Sequence, residues 1–370
     1  MSTTTLPTTQ KALIIYEEGK PYIVGEIPVP RPGPKEVLIK VLAGALNPAD
    51  STLLNMPPAM KSLAIFNYVS ISPLIGGYDG AGVVVERGAE VTNLKEGDRV
   101  LFGGHFGTSA ATFQQYATVA ADFAAIIPEH MSFEDAATIP LALTTDVLVL
   151  YNQSSAPENL TLRLKPFWEP EAAKAYAGTP AFIVGGAASL GQYAIQLAKL
   201  AGHDPIITTA SSHNTELLKS LGATHVLDRT LSNESILAEL PKLTDGKPIA
   251  LAFVTVLDPE ALRLGRDALA PGGALATVSP VPGFVPEEIS QPGAGKRVGY
   301  VYGSGILPYY RDTTVALYKQ IPGWLEKGLI KPNPIEVLPN GLAGIPEGVA
   351  RLGSNKVSGK KFVARPHETP

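Results

Sequence analysis

From residue 11 to residue 46 the chain alternates apolar and polar positions in "KALIIYEE", "YIVGEIPV" and "EVLIKVLAGAL". A period of two puts successive side chains on opposite faces of a strand, and the Pro and Gly between these runs mark turns. "GAGVVVERG" and "DRVLFGG" read as further strands, so the first third predicts a β-rich barrel or rolled sheet. Near Pro128 the texture changes. "SFEDAATIPLALTTDVLVLY" predicts a helix with Ser132 as its N-cap. From Ala181 short apolar runs alternate with helical stretches: "AFIVGG", "LGQYAIQLAKLAG", "PIITTA", "TELLKSLGA", "HVLD", "IALAFVTV", "ALRLGRDALAPGG" and "ALATVSP". This order predicts a doubly wound parallel sheet. "TTVALYKQIPGWLEKGLI" predicts a later helix and "KKFVARP" a closing strand.

Two stretches stand outside this pattern. Residues 151–178 are irregular, polar and broken by prolines, which predicts a surface insertion or, more sharply, a lid or docking loop around Phe167 and Trp168. "MPPAMKSLAIFNYVSISPLIG" is long and apolar. It reads equally as part of a hydrophobic substrate pocket and as ordinary core.

A length of 370 residues favours two domains, and 45% hydrophobic with 17% charged residues fits a globular protein. A net charge of −4 gives no footprint for nucleic acid or an anionic membrane. The absence of cysteine excludes disulfides and Cys-ligated zinc or iron–sulfur sites, and the six histidines form no close ligand cluster, so no metal is expected. "MSTTTLPTTQ" lacks the regions of a secretory signal, and no run has the length and texture of a membrane span. A cytoplasmic enzyme acting on a small molecule is the expectation.

The candidate chemistry begins at Gly185–Gly186–Ala187–Ala188–Ser189–Leu190–Gly191, between an apolar strand and a helix. Helix N-termini present N–H groups and partial positive charge to a pyrophosphate. In this reading Gly186 makes the tight turn and Gly191 lets helix and strand approach. Ala188 replaces the middle glycine of the dinucleotide fingerprint at the cost of one methyl group, and Ser189 offers a hydroxyl. After the next strand an NAD site usually carries an acid for the ribose 2′-hydroxyl. Here Ser211, Ser212, His213 and Asn214 stand instead, with no acid before Glu216. That points to NADPH, whose 2′-phosphate these donors could bind. The bland alternative is that Ser211 and Ser212 cap the following helix. Arg229, after the third strand, could stack on adenine.

With this loop following a β-rich domain, the chain resembles the medium-chain dehydrogenase/reductase superfamily along nearly its whole length. The resemblance rests on "NPAD" (47–50), "GGYDGAGVVVERG" (76–88), "EGDRV" (96–100), "FQQYATV" (113–119), "AATIPLALTTD" (136–146), the glycine loop, "LLKSLGATHVLD" (217–228) and "SGKKFVA" (358–364). It implies an α/β protein: a GroES-like β-rich catalytic domain in two segments, 1–138 and 303–370, around a Rossmann domain, 139–302, with the active site in the cleft. Lacking the catalytic Cys and four-Cys lobe of zinc alcohol dehydrogenases, the chain looks like the zinc-free branch of quinone oxidoreductases and fungal trans-acting enoyl reductases. Members include stand-alone enzymes and partners of polyketide synthases, and relatives often form homodimers edge to edge. Some carry a Lys soon after "NP-D" as a proton source; "NPADSTLL" offers Thr52 and no Lys.

Reducing an activated C=C bond requires hydride delivery, stabilisation of charge growing on the carbonyl oxygen, and a proton for the α-carbon. A site without a metal favours enones, enals, enoyl thioesters or quinones over an unconjugated carbonyl. The candidates are Asn47, Asp50, Tyr78, Thr145 and Tyr302. The resemblance places Asn47 near the nicotinamide and Thr145 near the cofactor; Asp50 reads either as a base or as a local hydrogen-bond acceptor. Tyr78 and Tyr302 read as donors or as pocket wall. His105 reads mainly as a solvated loop residue. Lys356 could reach a cofactor phosphate. The leading reading is an NADPH-dependent reductase of apolar conjugated carbonyl compounds. NADPH quinone reduction is the alternative within that class, and a non-catalytic NADPH-binding partner of a larger synthase is the alternative outside it.

Overall fold

A computed structural model describes the chain apart from residues 1–5, 17–19, 55–73, 106, 108, 157–159, 171, 173, 279–284, 302, 304 and 355–356. The side chains of 52–54 are also outside the description. Two compact units result: residues 1–141, 318–327 and 332–370 form one, and residues 142–317 and 328–331 the other.

The first unit opens with β1 (Thr9–Ile15), β2 (Ile23–Pro28) and β3 (Glu36–Ala45), followed by the short helix α1 (Pro48–Leu54). Then come β4 (Leu74–Ile75), β5 (Asp79–Arg87), β6 (Arg99–Gly103), β7 (Tyr116–Ala120) and β8 (Ala124–Ile126). Strand β3 organises the unit. It pairs along its length with β5, and two register shifts, at Leu38/Ile39 and Val41/Ala43, bend it. Its other edge pairs with β7 over Glu36–Lys40.

The expected helix from Ser132 to Tyr151 is two helices, α2 (Phe133–Ala136) and α3 (Pro140–Tyr151). Ser132 does cap α2, accepting from Asp135 N at 3.0 Å. Pro140 makes the break, because proline disfavours α geometry in the residue before it and supplies no N–H. Residues 142–151 of α3 are all buried, so this helix is apolar nearly all round.

The second unit is the expected parallel sheet. β9 (Ala181–Val184), β10 (Ile206–Ala210), β11 (His225–Asp228), β12 (Leu251–Val254), β13 (Ala274–Val278) and β14 (Arg297–Val301) lie in the order β11-β10-β9-β12-β13-β14, all parallel. This is the dinucleotide-binding strand order, reversing direction beside the first strand. Between them run α4 (Ser189–Ala201), α5 (Thr215–Leu221), α6 (Asn233–Leu243), α7 (Pro259–Ala268) and the single turn α8 (Glu287–Ser290). Strands β9 and β12 are buried at every residue, as sheets covered on both faces require.

The insertion packs on this unit. Phe167 and Trp168 are half-buried, their rings 5.8 and 5.4 Å from that of Tyr151. Leu162 is buried and fills the space beside Gly299 on the edge strand β14, while Tyr300 N donates to Leu160 O at 2.9 Å.

The chain then forms α9 (Arg311–Glu326), β15 (Ile335–Val337), α10 (Ile345–Gly353) and β16 (Lys361–Ala364). β16 pairs with the end of β3, completing the seven-stranded sheet β15-β16-β3-β5-β6-β8 with β7 on β3. The unit boundaries fall after Leu141 and inside α9, where the resemblance implies 138 and 302. The later second boundary has a packing cause: beyond β14, side chains at Gly303 and Gly305 would strike Thr145, Thr144 and Thr314 of the same unit.

Candidate functional site

The phosphate loop is built by close approach. Gly185 takes φ +89°, so Gly185, and not Gly186, makes the left-handed turn. Gly186 serves by having no side chain, since a Cβ there would meet Thr208 Oγ1. A Cβ on Gly191 would meet the carbonyl of Gly185, which fixes how closely α4 approaches β9. Ala188 is the N-cap of α4 with φ −63° and ψ 157°, an extended conformation open to any L-residue, so its methyl imposes no backbone strain. It makes no side-chain cap, leaving the helix start without competition from its own N-cap side chain. Ala187, Ser189 and Leu190 are half-buried around it.

Three polar residues absent from the sequence reading hold this loop. Thr209 Oγ1 accepts from Gly185 N at 3.1 Å, Thr255 Oγ1 donates to Gly185 O at 2.9 Å, and buried Gln192 donates from Nε2 to Ala187 O at 3.1 Å. Their signal was present as polar residues in otherwise apolar runs, where a buried hydroxyl or amide needs a partner.

At the end of β10, Ser211 and Arg229 come together. Arg229 Nε donates to Ser211 Oγ at 2.8 Å. Ser211 begins the short turn Ser212–Asn214 but makes no side-chain cap, and Asn214 before α5 makes none either. Ser212, His213 and Arg229 are exposed. His213 Nε2 lies 3.2 Å from Asn214 Nδ2. The guanidinium therefore joins the donor-rich loop. Asp228, which precedes Arg229 in the chain, accepts from both the backbone and the hydroxyl of Thr230, and these bonds hold its pKa below the ordinary value.

On α3, Thr145 is buried with its hydroxyl toward Gly303. The next residue, Asp146, is fully buried, and neither carboxylate oxygen has a hydrogen-bond partner among the described residues. Burial pushes its pKa well up.

The first unit holds a buried polar cluster at the junction of β3, α1, β5 and β16. Asn47 N donates to Asp50 Oδ2 at 2.7 Å, and Asp50 N donates to Asn47 O at 3.0 Å. Asn47 Nδ2 donates to Asp79 Oδ2 at 2.9 Å. Lys361 Nζ reaches the same oxygen at 2.5 Å and Thr138 O at 3.2 Å. The other oxygen, Asp79 Oδ1, accepts from Leu141 N at 2.5 Å, in the first turn of α3. Burial raises Asp50 to about 7, and Asp79 adds to the rise; the Asn47 and Gly77 N–H groups and Lys361 act against it. Asp50 is thus a local acceptor closing the Asn47 turn. Asp79 and Lys361, absent from the candidate residues, are its centre.

Tyr78 is buried directly before Asp79, its carbonyl accepting from Gly104 N at 2.5 Å. His105 is buried rather than solvated, and burial lowers its pKa to about 4, so it is neutral at pH 7. Tyr302, Lys356 and the side chain of Thr52 lie outside the described residues, as does most of the apolar stretch 56–76. Among the described residues no group of three or more His, Asp or Glu could hold a metal, and no helix is long and apolar enough to cross a membrane.

Comparison with known proteins follows the same division. Residues 33–129 match the alcohol dehydrogenase GroES-like domain, and residues 189–305 match the zinc-binding dehydrogenase family. The chain is 29% identical to a trans-enoyl reductase of Gibberella fujikuroi over 95% of its length and 98% of the relative. It is 30% identical to the trans-enoyl reductase traG of Penicillium crustosum over 98% of both chains. The crystal structure of CurK enoyl reductase superimposes with a TM-score of 0.73 at 22% identity, covering 97% of this chain and 99% of the other.

Proposed function

Because the chain belongs to the zinc-free branch of the medium-chain dehydrogenase/reductase superfamily and is an oxidoreductase, we propose that it is an NADPH-dependent, metal-independent reductase of the C=C bond in α,β-unsaturated carbonyl compounds. The observation that carries the cofactor choice is the Arg229–Ser211 contact at the end of β10, where an NAD site would place an acid. An exposed guanidinium with hydroxyl, imidazole and amide neighbours suits a dianionic 2′-phosphate. The loop fits the pyrophosphate: the spaces a side chain would fill at Gly186 and Gly191 keep backbone and helix start close. With NADPH held there by its pyrophosphate, its dihydronicotinamide would supply hydride.

The substrate class rests on the relatives, which carry the name trans-enoyl reductase, and on the absence of cysteine for a zinc site of the alcohol dehydrogenase type. A conjugated acceptor needs less polarisation of its carbonyl than an isolated one, which suits a metal-independent site. Asn47, Tyr78 and Thr145 are the residues this reading assigns to the reacting ligands, with Asp50 holding the Asn47 turn.

The test is NADPH oxidation with a panel of enones, enals and quinones, with NADH in parallel. The expected result is consumption with an enone, a saturated C–C bond in the product, and NADPH affinity on the order of ten-fold above NADH. Equal affinities overturn the cofactor choice. Quinone turnover alone overturns the substrate class. Tight NADPH binding with no turnover replaces the enzyme by the docking partner.

A further inference from the structure

Lys361 is 3% exposed, and its ammonium group has Asp79 Oδ2 and Thr138 O as partners. Such burial is unusual for lysine, and an ion pair removed from water is weak support for stability by itself. Its geometry gives it another use. Asp79 has two oxygens and three donors: Lys361 and Asn47 share one, and Leu141 N takes the other.

The consequence falls on Asn47. A primary amide has a donor end and an acceptor end, and neighbours decide which way it faces. Asp79 Oδ2 at 2.9 Å and Ala45 O at a long 3.5 Å both demand the NH2 end. The carbonyl Oδ1 is left without a partner among the described residues. We propose that Lys361 is a positioning residue: through Asp79 it fixes the Asn47 amide so that Oδ1 faces a ligand as a hydrogen-bond acceptor. Asn47 then receives an N–H or O–H from a ligand and does not serve as a donor to oxygen charge developing on the substrate. The inference rests on the reductase reading for its kinetic part only.

The test uses the full chain. Asp79→Asn with Lys361→Met removes both charges together, so neither is left buried alone, and Asn at position 79 can face Asn47 with either end. Selective 15N-asparagine labelling reads the Asn47 side-chain amide, identified by the signal that disappears in Asn47→Ala. In the wild type its hydrogen-bonded proton is expected to exchange slowly; in the double variant, on the order of ten-fold faster. Enone turnover is expected to fall on the order of ten- to a hundred-fold, and the NADPH dissociation constant to rise on the order of ten-fold in a fluorescence titration, because the cofactor's carboxamide and ribose carry the N–H and O–H groups that an enone lacks. Adding Asn47→Ala to the double variant is expected to cost nothing further, because all three changes act at one amide.

Unchanged exchange protection in the double variant overturns the proposal. So does full additivity with Asn47→Ala. A wild-type chain that turns over no enone refutes the reductase reading, while the exchange measurement still decides whether Lys361 and Asp79 orient Asn47.

Discussion

The phosphate loop and the Asn47 cluster achieve order by opposite means. The loop depends on atoms that are missing: side chains at Gly186 and Gly191 would strike Thr208 and the Gly185 carbonyl. The cluster depends on atoms that are present, with a buried ammonium, a shared carboxylate and an amide each bonded to the next. The loop closes over shorter spans, Thr209 lying 24 and Thr255 70 residues from Gly185, whereas Lys361 meets Asp79 across 282 residues. One region should therefore resist additions and the other removals.

The largest effect should come from Lys361→Met alone, which leaves Asp79 buried without its cation. A loss of about 3–5 kcal/mol is expected from the denaturant midpoint, much of it recovered when Asp79→Asn is added. An unmoved midpoint would place Lys361 outside the framework of its unit. At the loop, Gly191→Val should lower NADPH affinity on the order of a hundred-fold, ~2.7 kcal/mol, whereas Ala188→Gly should change it by less than about two-fold. Comparable losses from both would show that the loop is not limited by close approach. Arg229→Ala should cost on the order of ten-fold in NADPH affinity and leave NADH unaffected, measured by the same titration.

Two smaller effects concern pH. The folded-state pKa of Asp146 lies above its unfolded value, so the folded chain keeps a proton that the unfolded chain releases, and stability falls as pH rises above ~4. Asp146→Asn should stabilise by about 1–2 kcal/mol at pH 8 and less at pH 5. His105 has the opposite sign. Its folded-state pKa, about 4, lies below the ordinary 6.5, so its contribution is complete above 6.5 and is lost as pH falls toward 4. His105→Gln should flatten that acid limb, the smallest of these changes. An unchanged acid limb would mean that His105 meets solvent before the unit unfolds.

The contrast between loop and cluster also explains what could be read from the chain. The parallel sheet was legible because runs such as "AFIV" and "LAFV" report burial on both faces of a strand locally. The loop was legible as a contiguous motif, but the assignment of the tight turn to Gly186 missed that φ at Gly185 decides it. Arg229 was found for its position after β11; its contact with Ser211 requires β10 and β11 to lie side by side. Asp79 and Lys361 were passed over because charged residues in alternating strands ordinarily face water. Their burial depends on β5 and β16 both lying against β3. His105 misled for the same reason: a glycine-bearing loop suggests exposure, yet its burial comes from tertiary packing.

The segment around Leu160 and Leu162 has one more consequence. An open sheet ends in a row of unpaired peptide groups, and such a row is a template for any extended chain that meets it. Here Tyr300 N is already taken by Leu160 O, Arg297 Nη1 holds Leu162 O, and Leu162 occupies the bare flank of Gly299. The irregular insertion acts as a guard rail on the sheet, and its worth would be seen in concentrated protein, where the contest is between staying dispersed and growing strand by strand.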